Sequence, residues 1–390
     1  MDEQFVYMDH GATTPLREEA LEAMLPYFKE FYGNPSSLHA AGREVRKAVE
    51  EAREKTASAL GALSEEIYFT SGGTESNNIA LRGIARMQGN KGHIITSSIE
   101  HHAVLDVCRD LEKEGFEVTY LPVTGEGFIN TELIEQSITE DTFMISIMAA
   151  NNEIGTLQPI REIGELARKR EIIFHTDAVQ MVGQLPVDVN DLKVDFLSLS
   201  AHKFNGPKGV GALYKRKGIE LVPPFRGGGQ ERKIRPGTEN VAGIVGLARA
   251  LELSVKEIPE KKEKLTRLRD RLVEGLMDIG EATLNGHPTL RLPGNVNISF
   301  KYVEGESILL SLDLEGIAAS SGSACSSGSL EPSHVLSSLG LDHGQAHGSV
   351  RFSLGRGNSD ADIDYVLERI PAIIERLRSI SPTYRSRSDQ

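Results

Sequence analysis

Short runs rich in β-branched and aromatic residues alternate with longer segments over roughly the first half of the chain. Seven such runs occupy residues 67–70, 93–96, 116–120, 143–147, 172–175, 194–199 and 210–214. Their length and composition are typical of buried strands. Strands separated by helix-length segments are joined by right-handed crossovers, and these cover both faces of a mostly parallel sheet. The sequence therefore predicts a doubly wound α/β domain.

The helical segments are indicated by apolar residues at spacings of three and four, over residues 17–28, 43–60 and 104–114. A charged helical stretch over residues 252–278 breaks the alternation. Because it separates two regions of different pattern, we expect this stretch to bridge to a second domain.

The chain of 390 residues exceeds what one hydrophobic core usually supports. Beyond the charged stretch, strand-like runs at 295–300 and 349–354 and a final helix over 360–378 indicate a smaller α+β domain. We therefore predict a large domain over residues 16–258 and a small domain formed by residues 1–15 and 259–390.

A lysine, Lys203, follows the strand-like run 194–199 within a polar segment that contains glycine and proline. A lysine traps carbonyl groups when desolvation or a neighbouring cation lowers its pKa, and the end of a buried strand can supply both effects. Asp177 ends the preceding strand, and a carboxylate there could keep the ring nitrogen of pyridoxal phosphate protonated while Lys203 carries the aldehyde as a Schiff base. A solvated lysine in a turn is the alternative, and Asp177 favours the catalytic interpretation.

Two glycine-containing segments are candidate phosphate sites. Residues 70–78, with the sequence TSGGTESNN, join a strand to a helix, so their free amides can face an anion. They lack the Gly-Lys-Ser/Thr of a nucleotide-binding loop, so a small phosphorylated cofactor suits them better. A capped helix start explains the same residues. The second segment is the glycine-rich stretch that leads to Thr238. We expect the Thr238 hydroxyl to cap the helix that follows and to suit a phosphate.

Other polar residues are expected at the carboxyl ends of the strands, where ligands bind in such sheets. His101 or His102 could stack on a flat ring or move a proton, and local sequence does not separate the two. Asn152 could donate to a cofactor oxygen, although an Asn-rich turn explains it equally well. Gln180, three residues after Asp177, would lie near the same ligand.

The two cysteines of the chain, Cys108 and Cys325, exclude a disulfide framework and fit a reducing cytosol. Every residue from 318 to 329 has a small side chain, so we expect Cys325 to sit on a flexible tether. An exposed thiol in such a place suggests a nucleophile, and a tolerated loop cysteine is the alternative. Cys108 lies on the apolar face of a predicted helix and is interpreted as structural.

Charge and composition restrict the partners. The formal net charge of −13 repels a phosphate backbone, which argues against nucleic-acid binding. There are 11 histidines but no His-Glu-x-x-His or Cys-x-x-Cys motif, so no metal site is expected. The acidic N-terminus and the lack of an apolar run of about 20 residues lead us to expect a soluble cytoplasmic protein without a membrane partner.

Taken in order, these segments resemble the cysteine desulfurases of the NifS/IscS type, which are pyridoxal-phosphate enzymes of the class V aminotransferase group. The resemblance covers almost the whole chain and includes residues 8–15, 33–39, 70–78, 100–101, 151–155, 175–180, 200–209, 235–240, 351–356 and the Cys325 loop. It implies the type I fold of pyridoxal-phosphate-dependent transferases, with a mostly parallel seven-stranded sheet in the large domain, and an obligate homodimer.

The resemblance also assigns roles to individual residues. Lys203 would bind the cofactor aldehyde, Asp177 would pair with the ring nitrogen, and His101, now chosen over His102, would stack on the ring. Arg351 would bind the substrate carboxylate, as a bidentate guanidinium does well. The remaining assignments are Gln180 and Asn152 at the ring hydroxyl, Gly73, Thr74, Ser200 and His202 at the phosphate, Thr238 at the phosphate of the neighbouring subunit, and Asn34 at the substrate.

The implied reaction converts L-cysteine to L-alanine and leaves the sulfur as a persulfide on Cys325. In this family the acceptor is often an iron–sulfur scaffold protein. The sequence does not decide whether the sulfur is used for iron–sulfur clusters, tRNA thiolation or another thio-cofactor. The long loop around Cys325 resembles the subgroup with an extended, flexible loop. A selenocysteine lyase or another class V aminotransferase, with a lesser role for Cys325, is one alternative. A non-catalytic interaction protein that keeps the cofactor for stability is another.

Overall fold

The computed structural model describes residues 5–89, 91–321, 332–382 and 384. Twelve strands lie within this part of the chain: β1 Val6–Tyr7, β2 Ile67–Thr70, β3 His93–Ser97, β4 Glu117–Leu121, β5 Thr142–Ser146, β6 Ile173–Asp177, β7 Phe196–Ser200, β8 Gly211–Lys215, β9 Ala282–Leu284, β10 Asn295–Phe300, β11 Ile317–Ala318 and β12 Ser349–Ser353.

The same described residues form fourteen α-helices: α1 Glu18–Met24, α2 Pro26–Lys29, α3 Ala40–Leu60, α4 Gly73–Ala85, α5 His102–Lys113, α6 Thr131–Ser137, α7 Ile160–Lys169, α8 Val189–Leu192, α9 Val241–Lys256, α10 Ile258–Met277, α11 Gly305–Leu314, α12 His334–Ser338, α13 His343–His347 and α14 Asp360–Ile380. None of the helices in the described part is long and apolar enough to cross a membrane.

The largest sheet that the described residues form has seven strands in the order β2-β8-β7-β6-β5-β3-β4. Strand β8 runs antiparallel to both of its neighbours, and the other pairs are parallel. All residues of β3, β7 and β8 are buried, as expected for strands covered by helices on both faces. The predicted mostly parallel sheet and its seven strands are confirmed.

Two local predictions were wrong. The charged stretch over residues 252–278 is not one helix, because α9 ends at Lys256 and α10 begins at Ile258. Pro259 lies in the first turn of α10, where its missing N–H costs no helical hydrogen bond. The cap of α9 is Asn240 rather than Thr238, since the Asn240 side chain accepts a hydrogen bond from Gly243 N at 3.1 Å.

The apolar side chains form separate buried clusters. One lies under the seven-stranded sheet and includes Phe174, Leu197 and Phe204. Another joins Val6 and Met8 to side chains of β10, β12, α10 and α14. The first strand also pairs in parallel with β11, far along the chain. A further cluster joins Ile99 and Met148 to Val335 and Leu336, so side chains of the two predicted regions also pack together. The division into residues 16–258 and residues 1–15 with 259–390 stays a prediction.

A buried ion pair fixes the segment that leads to Thr238. Arg53 donates from Nη1 and Nη2 to the two carboxylate oxygens of Glu231, each at 2.8 Å. Glu231 also accepts from Phe69 N at 2.8 Å. The backbone at Glu231 and the next two residues has φ of 42°, 53° and 68°, a conformation that costs about 1–3 kcal/mol per residue. The buried ion pair holds this strained turn against α3 and β2.

Candidate active site

One cavity of about 570 Å³ lies beyond the carboxyl ends of the central strands. It is lined by the end of β6, the residues after β7, the N-terminus of α4 and the N-terminal residues 11–13. The structure brings ten predicted site residues together around it: Gly73, Thr74, His101, Asn152, Asp177, Gln180, Ser200, His202, Lys203 and Arg351.

Three predicted residues are not placed there. Asn34 is exposed, does not line the cavity, and accepts a hydrogen bond at Oδ1 from Ser36 N at 2.9 Å. Thr238 is also exposed and does not line the cavity. Cys325, with most of its small-residue loop, lies outside the described residues. The roles assigned to these three stay predictions.

Asp177 is the last residue of β6 and is buried at the edge of the cavity. Its Oδ2 accepts from Asn77 Nδ2 at 2.7 Å, and its Oδ1 accepts from Val179 N at 3.0 Å. Hydrogen bonds to both oxygens fix the orientation of the carboxylate group. The arrangement can hold a negative charge against a protonated heteroaromatic nitrogen.

Asn77 is a site residue that the sequence analysis did not single out. It lies on α4 within the glycine motif 70–78, is fully buried, and also lines the cavity. Its position in that motif was the available signal, but nothing local indicated that its partner is Asp177, which is 100 residues away.

We expect Asn77→Ala to weaken pyridoxal phosphate binding roughly tenfold, because it removes a hydrogen bond to a buried charged group. Fluorescence quenching on titration of the apoprotein with cofactor measures the dissociation constant. The neighbouring Asn78→Ala is the matched control, since the Asn78 side chain donates to Thr74 O and accepts from Arg82 Nε, and neither contact involves Asp177. Equal effects of the two substitutions would contradict the role of Asn77.

The N-terminus of α4 forms a shallow cradle on the cavity. Gly73 is buried there, and a Cβ at this position would lie 2.5 Å from a methyl carbon of Val179. The free amides of the first helical turn and the Ser200 hydroxyl are neutral donors suited to a phosphate. His202 also lines the cavity, and burial together with Lys203 lowers its pKa to about 4, so its ring is neutral. These residues fit the phosphate of a small cofactor.

Lys203 ends a short 3₁₀ turn directly after β7. Its Nζ donates to Gly11 O at 2.6 Å and to Ala12 O at 2.9 Å. Gln180 Nε2 donates to the same Gly11 carbonyl at 3.0 Å. The N-terminal residues therefore hold the lysine and Gln180 together at the wall of the cavity.

The side chains of the two neighbouring histidines have different surroundings in the structure. His101 caps α5, where its Nδ1 accepts from Ala103 N at 3.0 Å, and burial lowers its pKa. Because Nδ1 accepts this hydrogen bond, the ring proton is assigned to Nε2. The His102 side chain is partly exposed, with Nδ1 3.6 Å from Asp106 Oδ1. Both line the cavity, and the His101 ring, which its contact with Ala103 N fixes, is better suited to stack on a bound ring.

Two buried acids near the cavity were missed by the sequence analysis. Burial raises the pKa of Glu100 to about 8 and that of Glu153 to about 7. Glu100 accepts from Ser97 Oγ at 2.6 Å, and Glu153 accepts from Ser333 Oγ at 2.5 Å. Their positions beside His101 and Asn152 were the only local signals. They attach neighbouring loops and the start of α12 to the edge of the sheet.

Arg351 lies on β12, in a three-stranded sheet of order β12-β10-β9, and its side chain lines the cavity. Its Nη1 donates to Asn152 O at 2.8 Å, and its Nη2 lies 2.9 Å from Asp9 Oδ1. A guanidinium at the wall of the cavity can bind the carboxylate of a ligand through two parallel hydrogen bonds.

A protein-family model described as aminotransferase class V matches residues 6–366. "Cysteine desulfurase IscS" of Methanosarcina thermophila is 59% identical over 97% of this chain and 94% of its own length. The protein of that name from Dictyoglomus turgidum is 58% identical over 97% of this chain and 96% of its own length.

The chain is also similar to solved structures. A "NifS-like protein" superposes with a TM-score of 0.91 at 42% identity, covering 96% of this chain and 100% of the other. The structure titled "SspA in complex with cysteine" has a TM-score of 0.81 at 39% identity, covering 90% of this chain and 98% of the other.

Proposed function

The chain belongs to the class V aminotransferase family and is similar over almost its full length to cysteine desulfurases, so we propose that it converts L-cysteine to L-alanine and transfers the sulfur, as a persulfide on Cys325, to an acceptor protein. The observation that carries this proposal is the single cavity that gathers Lys203, Asp177, His101 and Arg351.

The enzyme depends on pyridoxal 5′-phosphate, which when bound supplies an electron sink for negative charge developing at the substrate Cα. In the proposed site Asp177 keeps the ring nitrogen protonated, and Asn77 orients Asp177. His101 lies against the ring. The phosphate would be held by Gly73, Thr74, Ser200 and His202. The ring hydroxyl would be held by Asn152 and Gln180, and the aldehyde carbon would be bound by Lys203.

Side chains of the protein bind the substrate and transfer protons. Arg351 binds the substrate carboxylate and fixes which bonds of Cα face the cofactor. The Lys203 amine would accept the proton of Cα. The His101 ring presents an N–H at Nε2, which can donate a hydrogen bond within the site without adding charge.

Sulfur transfer requires a nucleophile, which we assign to Cys325. Its thiolate attacks the sulfur of the substrate, so that one S–S bond forms and the substrate C–S bond breaks. The electron pair of the broken bond passes to the carbon side, where a proton completes the methyl group of alanine. The terminal sulfur then leaves Cys325 by attack of an acceptor thiol.

We further propose a homodimer in the cytoplasm that supplies an iron–sulfur scaffold protein. Large apolar side chains are exposed along residues 25–38, including Tyr32 at 82% and Leu38 at 90% exposure. A second copy of the chain would remove this surface from water. Asn34 lies in the same stretch, and Thr238 is exposed on a fixed turn, so both could meet the cavity of a partner subunit.

The test is product analysis of the purified holoenzyme with L-cysteine and a reducing thiol. We expect alanine and sulfide in equal amounts, without any requirement for a keto acid. Formation of 3-mercaptopyruvate only when a keto acid is added as amino-group acceptor would indicate an ordinary aminotransferase. Activity confined to L-selenocysteine would indicate a selenocysteine lyase.

A further inference from the structure

Arg351 has a charged partner that does not line the cavity. The Arg351 side chain is only 3% exposed, and its Nη2 lies 2.9 Å from Oδ1 of Asp9. Asp9 follows β1 and is not among the residues that line the cavity, whereas Arg351 is. Asp9 therefore acts on a ligand only through the guanidinium.

The backbones on both sides of this ion pair are fixed. Arg351 N donates to Ser320 O at 2.7 Å, and Ser320 N donates to Arg351 O at 3.1 Å. On the other side, Asp9 O accepts from Ala12 N at 3.1 Å and from Thr13 N at 3.3 Å. Because neither backbone is free to shift, the two charges stay together when a ligand enters.

The Arg351 guanidinium has N–H groups that are not used in contacts with the described part of the protein. Its Nη1 donates to Asn152 O at 2.8 Å, and its Nη2 donates to Asp9. The buried Nε has no hydrogen-bond partner among the described residues. Nη1 and Nη2 each carry a second N–H that these two contacts do not use, and a carboxylate matches the geometry of the guanidinium fork.

The charges determine how strongly that carboxylate is held. Asp9 already neutralises Arg351, so a ligand carboxylate approaches an ion pair whose net charge is zero. At such short range an extra negative charge in a partly buried site costs far more than it would in water. The ligand and Asp9 therefore compete for one cation.

We propose that Asp9 is a resident counterion of Arg351 that limits how tightly the site binds the carboxylate of an α-amino acid, and so favours release of the product alanine. This inference rests on the proposed role of Arg351 in binding the substrate carboxylate. Asp9 is a positioning residue, because it acts through Arg351.

The test compares L-alanine with L-alaninamide, which has the same shape but no carboxylate charge. Isothermal titration of the holoenzyme gives both dissociation constants, and their ratio measures preference for the charge. Asp9→Asn keeps an oxygen acceptor but removes the charge, so we expect it to raise this preference roughly five- to tenfold. Asp9→Glu retains the charge and should stay within about twofold of wild type. The KM for L-cysteine should fall in Asp9→Asn while kcat does not rise.

Asp9→Ser repeats the loss of charge should Asp9→Asn fail to fold, and thermal unfolding of each variant shows whether it is folded. Arg351→Gln should abolish the preference for alanine over its amide. If it does, and removal of the Asp9 charge leaves the preference unchanged or lower, the role of Asp9 is wrong and the proposed function stands. A preference that survives Arg351→Gln would refute the assignment of Arg351 itself, and this inference with it.

Discussion

Lys203→Ala is expected to lower the rate of alanine formation at least about 1,000-fold, because it removes both the attachment point of the cofactor and the base for the Cα proton. The side chain is held at the cavity by the carbonyl oxygens of Gly11 and Ala12. The visible absorbance of the bound cofactor should shift to that of the free aldehyde. Stopped-time product analysis and an absorbance spectrum measure the two effects.

Lys208→Ala is the matched control for this prediction. Lys208 also lines the cavity, five residues further along the same segment, but it is exposed and follows the turn rather than the strand. Its replacement should leave the visible absorbance of the cofactor intact. If Lys208→Ala loses this absorbance and Lys203→Ala keeps it, the assignment of Lys203 is wrong.

Cys325→Ala is expected to abolish sulfide release and alanine formation to the limit of detection, with cofactor absorbance unchanged. The reason is chemical: without a thiolate acceptor, nothing in the proposed site takes the sulfur from L-cysteine. Product analysis and the absorbance spectrum on the same sample separate loss of chemistry from loss of cofactor. Persistence of both products at the wild-type rate would contradict the assignment.

Cys108→Ala provides the comparison, because Cys108 is the other cysteine of the chain. It is fully buried on α5, and burial raises the pKa of its thiol to about 12, so it has almost no thiolate at neutral pH. We expect this variant to keep full sulfur transfer. Any deficit should appear as lower thermal stability, since the substitution leaves a small cavity.

The seven strands of the main sheet were predictable because each is a short β-branched run with a clear boundary. The break between α9 and α10 falls just before Pro259, which lies in the first turn of α10, where proline is tolerated. The sequence analysis did not use this proline, although a proline within a helical pattern commonly marks a helix boundary. Thr238 was predicted as the cap of α9, but the cap is Asn240. Both residue types cap helices well, so only the backbone path decides between them.

The placing of Lys203 and Asp177 at one cavity was predictable because each lies at the end of a strand, whereas His101 was chosen over His102 only through the family resemblance. The contacts that orient those residues were not predictable, because they join segments far apart in the chain. Asp9 and Arg351 are separated by 342 residues, and Asn77 and Asp177 by 100. Glu100 and Glu153 illustrate a further limit, since a glutamate in a sequence is normally read as exposed, and only the packed structure shows these two to be buried.

The central claim is that sulfur leaves L-cysteine by way of Cys325, and peptide mass spectrometry after a single turnover tests it most directly. The holoenzyme is mixed with one equivalent of L-cysteine labelled with heavy sulfur, in the absence of acceptor thiols, and then alkylated and digested. The account predicts one labelled sulfur on the Cys325 peptide for each alanine formed and none on the Cys108 peptide. Alanine formed without labelled sulfur on Cys325, or with the label on Cys108, would contradict it.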